Sequence, residues 1–213
     1  MAQAPAGAAV VIDPHDGGVL AMASYPSYDP GEFVNGISQS RYNALTQRDP
    51  LTNPLINRAI QGQYAPGSTF KPFTAFGALN AGLIGPDDYV NDDGVYERAD
   101  ENDTTFFKNA GSQAHGSVNL ATSLTVSSDW YYYSLGDLFW LRSDFIGENA
   151  QMDGYATFGF WLPTGIPIPG EAKGVIPNEV WKQNLFDSMS PEDQAAGNRT
   201  WLPGDQINMA VGQ

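Results

Sequence analysis

Two short apolar runs near the amino terminus predict the first elements of the chain. Residues 8–13 are Ala-Ala-Val-Val-Ile-Asp, and residues 18–25 are Gly-Val-Leu-Ala-Met-Ala-Ser-Tyr. Runs of this length that are bounded by turn-forming residues are typical of β-strands. The linking residues 14–17, Pro-His-Asp-Gly, contain an Asp-Gly pair that favours a hairpin turn. The pattern therefore predicts two antiparallel strands.

Helical periodicity predicts most of the remaining elements. A helix is expected to follow the turn at Ser68, to run to about Asn80 and to be closed by Gly82. Residues 116–138 predict two helices that meet near Ser127, and residues 204–213 predict a capped helix. These patterns alone indicate a mixed α and β fold.

Three stretches lack a helical period. Residues 26–54 are rich in turn formers, with one short helix expected near residues 40–45, and the Pro- and Gly-rich residues 163–177 predict a long loop. Residues 86–103 carry many carboxylates, but their spacing does not match a calcium-binding EF-hand loop. A solvated surface segment without a metal ion is predicted there. Its acidic residues are Asp87, Asp88, Asp92, Asp93, Glu97, Asp100, Glu101 and Asp103.

Composition excludes several classes of function. The chain of 213 residues has a formal net charge of −14 and no cluster of basic residues, which argues against a nucleic-acid partner. Cysteine is absent, so disulfides and thiolate catalysis are excluded. No apolar run of about 18 residues and no signal peptide occurs. Any membrane anchor is therefore expected in a segment absent from this chain.

Ser68 and Lys71 form the first candidate for chemistry. Residues three apart share a helix face, so the Ser68 hydroxyl and the Lys71 amine are expected within hydrogen-bonding reach. A serine hydroxyl needs a base to take its proton as it attacks a carbonyl, and a buried neutral amine can be that base. Pro72 has no N–H to bond the Ser68 carbonyl, which places Ser68 at the helix edge where a substrate can reach it.

A second candidate is a serine followed two residues later by Asp or Asn. Such a triplet places a hydroxyl and a carboxylate or amide on one turn, where they can relay a proton and hold a substrate amide. Three triplets occur, beginning at Ser27, Ser117 and Ser127. Ser27 lies in a Pro-flanked turn and Ser117 is interpreted as a helix cap. Only Ser127, with Asp129, is expected at a junction between two helices.

These motifs, in this order, resemble the transpeptidase domain of class B penicillin-binding proteins, in particular the elongation-type branch. The resemblance covers nearly the whole chain, which is read as the N-terminal and central part of a single domain over residues 1–213. It implies an α+β fold like that of penicillin-binding proteins and serine β-lactamases, an antiparallel sheet flanked by helices, and a helical subdomain. The strings that carry it are Ala-Val-Val-Ile-Asp-Pro at 9–14, Ala-Met-Ala-Ser-Tyr-Pro at 21–26, Asn-Arg-Ala at 57–59, Pro-Gly-Ser-Thr-Phe-Lys at 66–71, Thr-Gly-Ile at 164–166, Pro-Gly-Glu at 169–171, Gly-Asp at 204–205 and Gly-Gln at 212–213.

The resemblance implies a role for each candidate residue. Ser68 is the acylated nucleophile, Lys71 the base, Ser127 the relay of protons to the leaving amine, and Asp129 a substrate-binding residue. The implied reaction is peptidoglycan D,D-transpeptidation on D-Ala-D-Ala stem peptides, without a cofactor, and β-lactams trap its acyl-enzyme. Implied partners are the glycosyltransferase and scaffold proteins of wall elongation, at the extracytoplasmic face of the bacterial membrane.

One family motif is not found. No Lys-Thr-Gly or Lys-Ser-Gly occurs, and Lys173 in Ala-Lys-Gly lies in the predicted loop and is not a substitute. In the family this motif lies on a later strand, where it binds the substrate carboxylate beside the oxyanion hole. Loss of one oxyanion donor typically costs about 10² to 10³ in rate. The chain is therefore expected to be C-terminally truncated, to lack the later strands, and to have little or no activity by itself.

Other classes of function compete with the transpeptidase. A Ser-His-Asp hydrolase is disfavoured because the two histidines, His15 and His115, are expected in structural positions. A serine β-lactamase shares the first two motifs but must also activate water, and no Glu has a recognisable context for that step. A penicillin-binding sensor or scaffold would be acylated once without catalysis. Rapid turnover of penicillin would identify the β-lactamase.

Overall fold

The computed structural model describes residues 4–46, 49, 53–98 and 105–213, and it divides the chain into two compact units. The first unit contains residues 1–64 and 163–174, and the second contains residues 65–162 and 175–213. Helices and strands both occur, which confirms the predicted mixed class. Within the described residues the strands form three separate two-stranded antiparallel ladders.

The first unit is built on the predicted hairpin. Strands β1 (Gly7–Ile12) and β2 (Val19–Tyr25) pair antiparallel, and Gly17 takes a φ of 78° in their connection. Helices α1 (Gln39–Leu45) and α2 (Arg58–Gln61) follow. The predicted loop after residue 163 contains neither helix nor strand and is tied to this unit where Ala172 N–H donates to the Ile60 carbonyl at 2.8 Å.

The second unit contains the larger core. Its helices are α3 (Lys71–Asn80), α4 (Leu120–Val126), α5 (Asp129–Leu141), α6 (Ser143–Ile146), α7 (Ala150–Ala156), α8 (Glu179–Ser188), α9 (Pro191–Ala196) and α10 (Pro203–Ala210). Its strands are β3 (Val90–Asp92), β4 (Val95–Glu97), β5 (Phe106–Lys108) and β6 (Gly116–Val118), paired β3 with β6 and β4 with β5. The predicted end of α3 and the junction of α4 and α5 are confirmed.

Helix α5 runs through this core because almost every face of it is apolar or aromatic. Tyr131, Tyr132, Leu135 and Phe139 are all at most 1% exposed. Gly136 lets α10 approach closely, since a Cβ there would lie 2.7 Å from the Ile207 Cα. The run Trp-Tyr-Tyr-Tyr at residues 130–133 thus contributes three buried tyrosines to the core.

A line of buried hydrogen bonds connects the three helices α3, α7 and α10. Gln151 of α7 donates to the Tyr155 hydroxyl at 2.7 Å, and Thr74 of α3 lies 2.9 Å from that hydroxyl. Thr74 in turn donates to the Ala210 carbonyl of α10 at 2.8 Å. Because an unpaired buried polar group is costly, this line fixes the relative positions of α3, α7 and α10.

Two local predictions were wrong. Asp92, expected on a solvated surface, is fully buried at the end of β3 because it accepts hydrogen bonds from several surrounding groups. Ser117 lies in β6, and the cap of α4 is Asn119, whose side chain accepts the Thr122 N–H. Three residues of the predicted acidic segment, Asp100, Glu101 and Asp103, lie outside the described residues.

None of the helices within the described ranges has the length and apolar character needed to cross a membrane.

Candidate active site

Backbone hydrogen bonds and one local side-chain bond, from Thr69 Oγ1 to the Pro66 carbonyl, hold the Ser68 turn. Residues Gly67–Phe70 form a 3-10 turn that leads directly into α3, and the Ser68 carbonyl accepts the Lys71 N–H. The sequence predicts that Pro72, which has no N–H, cannot donate to the Ser68 carbonyl. The Lys71 N–H donates to that carbonyl instead. Gly67 has a φ of 58°, and its N–H donates to the Gly212 carbonyl at 3.0 Å. The arrangement leaves Ser68 exposed at the edge of the helix.

Lys71 lies one turn further along and is only 1% exposed. Its Nζ donates to the Ser127 carbonyl at 2.8 Å and to Ser127 Oγ at 3.1 Å, and it lies 2.6 Å from Asp129 Oδ1. An ammonium has three N–H donors, and these three acceptors can use all of them. The Tyr132 ring centroid lies 5.5 Å from Nζ, which adds a cation–π contact.

The structure therefore brings together three of the four predicted residues by direct contact. Within the described part of the chain, the Ser68 hydroxyl has no hydrogen bond, so the expected bond to Lys71 is not formed. The reason is competition, because the Ser127–Asp129 turn supplies a carboxylate and two neutral oxygens to the same ammonium. An exposed hydroxyl with no partner remains free to approach a substrate carbonyl.

The Ser127–Asp129 turn has a backbone that few residues adopt. Ser127 ends α4 in the left-handed region, with φ 55° and ψ 44°. Such a conformation costs a non-glycine residue on the order of 1–3 kcal/mol and persists only where the surroundings impose it. It lets the Ser128 N–H close α4 on the Ser123 carbonyl at 2.9 Å while α5 begins one residue later. The turn thus presents Ser127 and Asp129 together to Lys71.

Sequence reasoning missed the buried group beneath this turn. Asp92 accepts Ser128 Oγ–H at 2.6 Å, Asn109 Nδ2–H at 2.8 Å and Gly94 N–H at 2.9 Å, and it lies 2.8 Å from His115 Nδ1. Burial alone would raise the pKa of Asp92, but these hydrogen bonds outweigh it and hold the pKa below its usual value. The residues are scattered over residues 92–128, so no local motif indicates the group. In the described residues no cluster of three or more His, Cys, Asp or Glu could hold a metal ion.

Comparison with known proteins places the chain in a family. Residues 7–202 match the family model described as the penicillin binding protein transpeptidase domain, and the chain belongs to that family. It is 37% identical over 207 residues to the peptidoglycan D,D-transpeptidase MrdA of Escherichia coli K12, and 34% identical over 207 residues to MrdA of Acinetobacter baumannii. Each alignment covers 97% of this chain, which spans only 29% and 28% of the two relatives.

Comparison with solved structures indicates the same family. The chain is similar to PBP2 of Pseudomonas aeruginosa in complex with WCK 5153, with 34% identity and a TM-score of 0.77 over 98% of this chain and 42% of that one. It is also similar to PBP2 of Helicobacter pylori in complex with MreC, with 27% identity and a TM-score of 0.77 over 98% of this chain and 34% of that one. The predicted family and its fold are thereby confirmed.

Proposed function

We propose that the chain carries the acylation machinery of a peptidoglycan D,D-transpeptidase, the activity for which its MrdA relatives are named. The main support is the buried Lys71, held on Ser127 and Asp129 one turn from the exposed Ser68. The Ser68 oxygen attacks the carbonyl of the penultimate D-Ala of a stem peptide, and the terminal D-Ala leaves as an amine. An amine of a neighbouring strand then takes the acyl group and restores the hydroxyl.

Lys71 and Ser127 move the protons in this scheme. The neutral Lys71 amine accepts the Ser68 proton, and the 3.1 Å contact from Nζ to Ser127 Oγ provides a path to the leaving nitrogen. Asp129 contacts the same amine, with Oδ1 2.6 Å from Nζ. Asp129 is 23% exposed at its side chain, so a substrate N–H can reach it. A hydrogen bond from the substrate N–H to the Asp129 carboxylate would hold the substrate and weaken the interaction between Asp129 and Lys71.

The proposed substrates and partners follow the relatives. Structures of similar proteins include PBP2 with MreC, and one described as a peptidoglycan synthase complex that coordinates polymerization and crosslinking, 28% identical with a TM-score of 0.73. We therefore propose D-Ala-D-Ala stem peptides as substrate, β-lactams as inhibitors, and a wall-elongation glycosyltransferase and scaffold as partners. The site would act at the extracytoplasmic face of the membrane.

The test uses a chimera, since residues 1–213 contain no Lys-Thr-Gly string. In this MrdA chimera the segment of Escherichia coli MrdA that aligns with the chain is replaced by the chain's own residues. Incubation with benzylpenicillin should add one penicillin mass, which peptide mapping should place on the Ser68 peptide. Ser68→Ala should abolish the adduct, while Ser27→Ala should not. A folded chimera without an adduct, or an adduct that survives in Ser68→Ala, would refute the proposal.

The same preparation separates the alternatives. A transpeptidase should hold the penicillin adduct for many minutes and should release D-Ala from a stem peptide when an acceptor amine is supplied. Rapid loss of the adduct with hydrolysed penicillin would identify a β-lactamase. A stable adduct with no D-Ala release from any stem peptide would identify a sensor.

A further inference from the structure

We propose that Asp92 is a positioning residue that holds the Ser127–Asp129 turn against Lys71. The proposal rests on the proposed function, because it concerns the geometry of the acylation site. Asp92 is not within hydrogen-bonding distance of Lys71, Ser127 or Asp129 in the described structure, so it acts through other residues. Its effect is therefore on orientation rather than on the reacting atoms.

The Asp92 group holds the chain on both sides of Asp129. On one side, Ser128 Oγ donates to Asp92 at 2.6 Å and accepts the Tyr131 N–H at 3.0 Å. On the other side, the Asn109 side chain donates to Asp92 and accepts the Trp130 N–H at 2.7 Å. The residues before and after Asp129 are thus both tied to one buried carboxylate.

The hydrogen bonds around Asp92 favour the charged form of its side chain. It is fully buried, and His115 Nδ1 lies 2.8 Å from it. Hydrogen bonds to an ionised acceptor are roughly twice as strong as neutral ones. Four different groups, from β3 to the start of α5, converge on Asp92. This concentration of strong bonds offsets the strain of the left-handed Ser127.

Asp137 provides a matched control. It is also buried, with Arg98 Nε at 2.9 Å and the Tyr96 hydroxyl at 2.8 Å, and within the described residues it has no hydrogen bond to the turn. Replacement of either carboxylate by Asn should destabilise the fold, because each leaves buried donors without their acceptor. Only Asp92→Asn should release the Ser127–Asp129 turn.

The experiment has an activity arm and a structural arm. In the MrdA chimera, below the melting temperature of both variants, Asp92→Asn should slow penicillin acylation about 10²-fold, a loss that about 1 Å of misplacement can cause, and Asp137→Asn should not. Ser128→Ala removes only the connecting hydroxyl and should slow acylation in the same direction, which keeps the test usable if Asp92→Asn does not fold. Equal slowing in Asp92→Asn and Asp137→Asn, or no slowing in Ser128→Ala, would overturn the proposal.

The structural arm measures amide hydrogen exchange in the 213-residue chain itself. Exchange at residues 127–130 should accelerate at least tenfold in Asp92→Asn and in Ser128→Ala and should stay unchanged in Asp137→Asn. Tyr131 is left out of the comparison, because Ser128→Ala removes the acceptor of its N–H directly. Protection that is equal in all variants would overturn the positioning role, even if the chimera is acylated normally. If the unmodified chimera is not acylated, the proposed function fails, and exchange alone still decides whether Asp92 holds the turn.

Discussion

The two turns that meet at Lys71 are held in opposite ways. The Ser68 turn is fixed by local groups, with Gly67 bonded to the Gly212 backbone and Thr69 Oγ1 donating to the Pro66 carbonyl at 2.7 Å. The Ser127–Asp129 turn is fixed by side chains that converge on the buried Asp92. Ser68, the proposed nucleophile, is therefore exposed, whereas Ser127 and Asp129, the residues proposed to handle protons and substrate, are anchored.

Lys71→Met should have the largest effect, because Lys71 is the residue that connects the two turns. Methionine has a similar length and no proton to exchange, so acylation of the MrdA chimera should fall by about 10³-fold. The exposed Lys108→Met is the matched control and should leave the rate unchanged. Acylation at a normal rate in Lys71→Met would place the base elsewhere.

Gly212→Ala tests the backbone-held turn. A Cβ at Gly212 would overlap the Gly67 carbonyl oxygen and lie 2.8 Å from its nitrogen, and Gly212 has a φ of 77°. We expect a loss of about 1–3 kcal/mol in unfolding free energy from strain, together with slower acylation as Ser68 shifts.

Gly82→Ala is the control for this change. Gly82 has a φ of 68° and open space around its Cβ position, so alanine there adds the backbone strain without the overlap. Urea unfolding should show a smaller loss than at Gly212, and acylation should be unaffected. Equal effects of the two changes would mean that close contact with Gly67 does not hold the Ser68 turn.

Asp129→Ala should have a smaller effect on the other turn. Asp129 is partly exposed and Lys71 keeps two oxygens of Ser127 as acceptors, so the loss of Asp129 should lower the melting temperature moderately and should weaken substrate handling more, about tenfold in stem-peptide turnover. Asp144→Ala removes an acidic residue from the first turn of α6 and controls for the helix dipole. Collapse of the fold in Asp129→Ala would indicate a structural role.

Local signals in the sequence predicted the elements that carry these turns. The hairpin, the end of α3 at Gly82 and the junction of two helices at Ser127 each depend on residues close in sequence. The Asp92 group could not be predicted in this way, because Asn109, His115 and Ser128 reach it over 17, 23 and 36 residues. Composition indicated a solvated acidic segment, and tertiary hydrogen bonds reversed that expectation for Asp92.

The same limit explains the missing bond between Ser68 and Lys71. Their spacing allows a contact, but the acceptors that bind Lys71 come from a turn 56 residues later. Sequence spacing states which groups can meet, and competition between partners decides which of them do. The roles predicted for Ser68, Lys71, Ser127 and Asp129 stay predictions until the acylation experiments are made.

Acid pH provides a further test of the difference between the two turns, and we expect its effect to be the smallest. Hydrogen bonds hold the pKa of Asp92 below its usual value, despite burial, so the folded state binds its proton less readily than the unfolded chain does. Its stabilisation is therefore complete above about pH 4 and is lost as the pH falls through the folded-state pKa. Urea unfolding from about pH 3 to 6 should show a steeper acid loss of stability in the unmodified chain than in Asp92→Asn. Parallel curves would show that a buried charge is not what distinguishes the Ser127–Asp129 turn from the Ser68 turn.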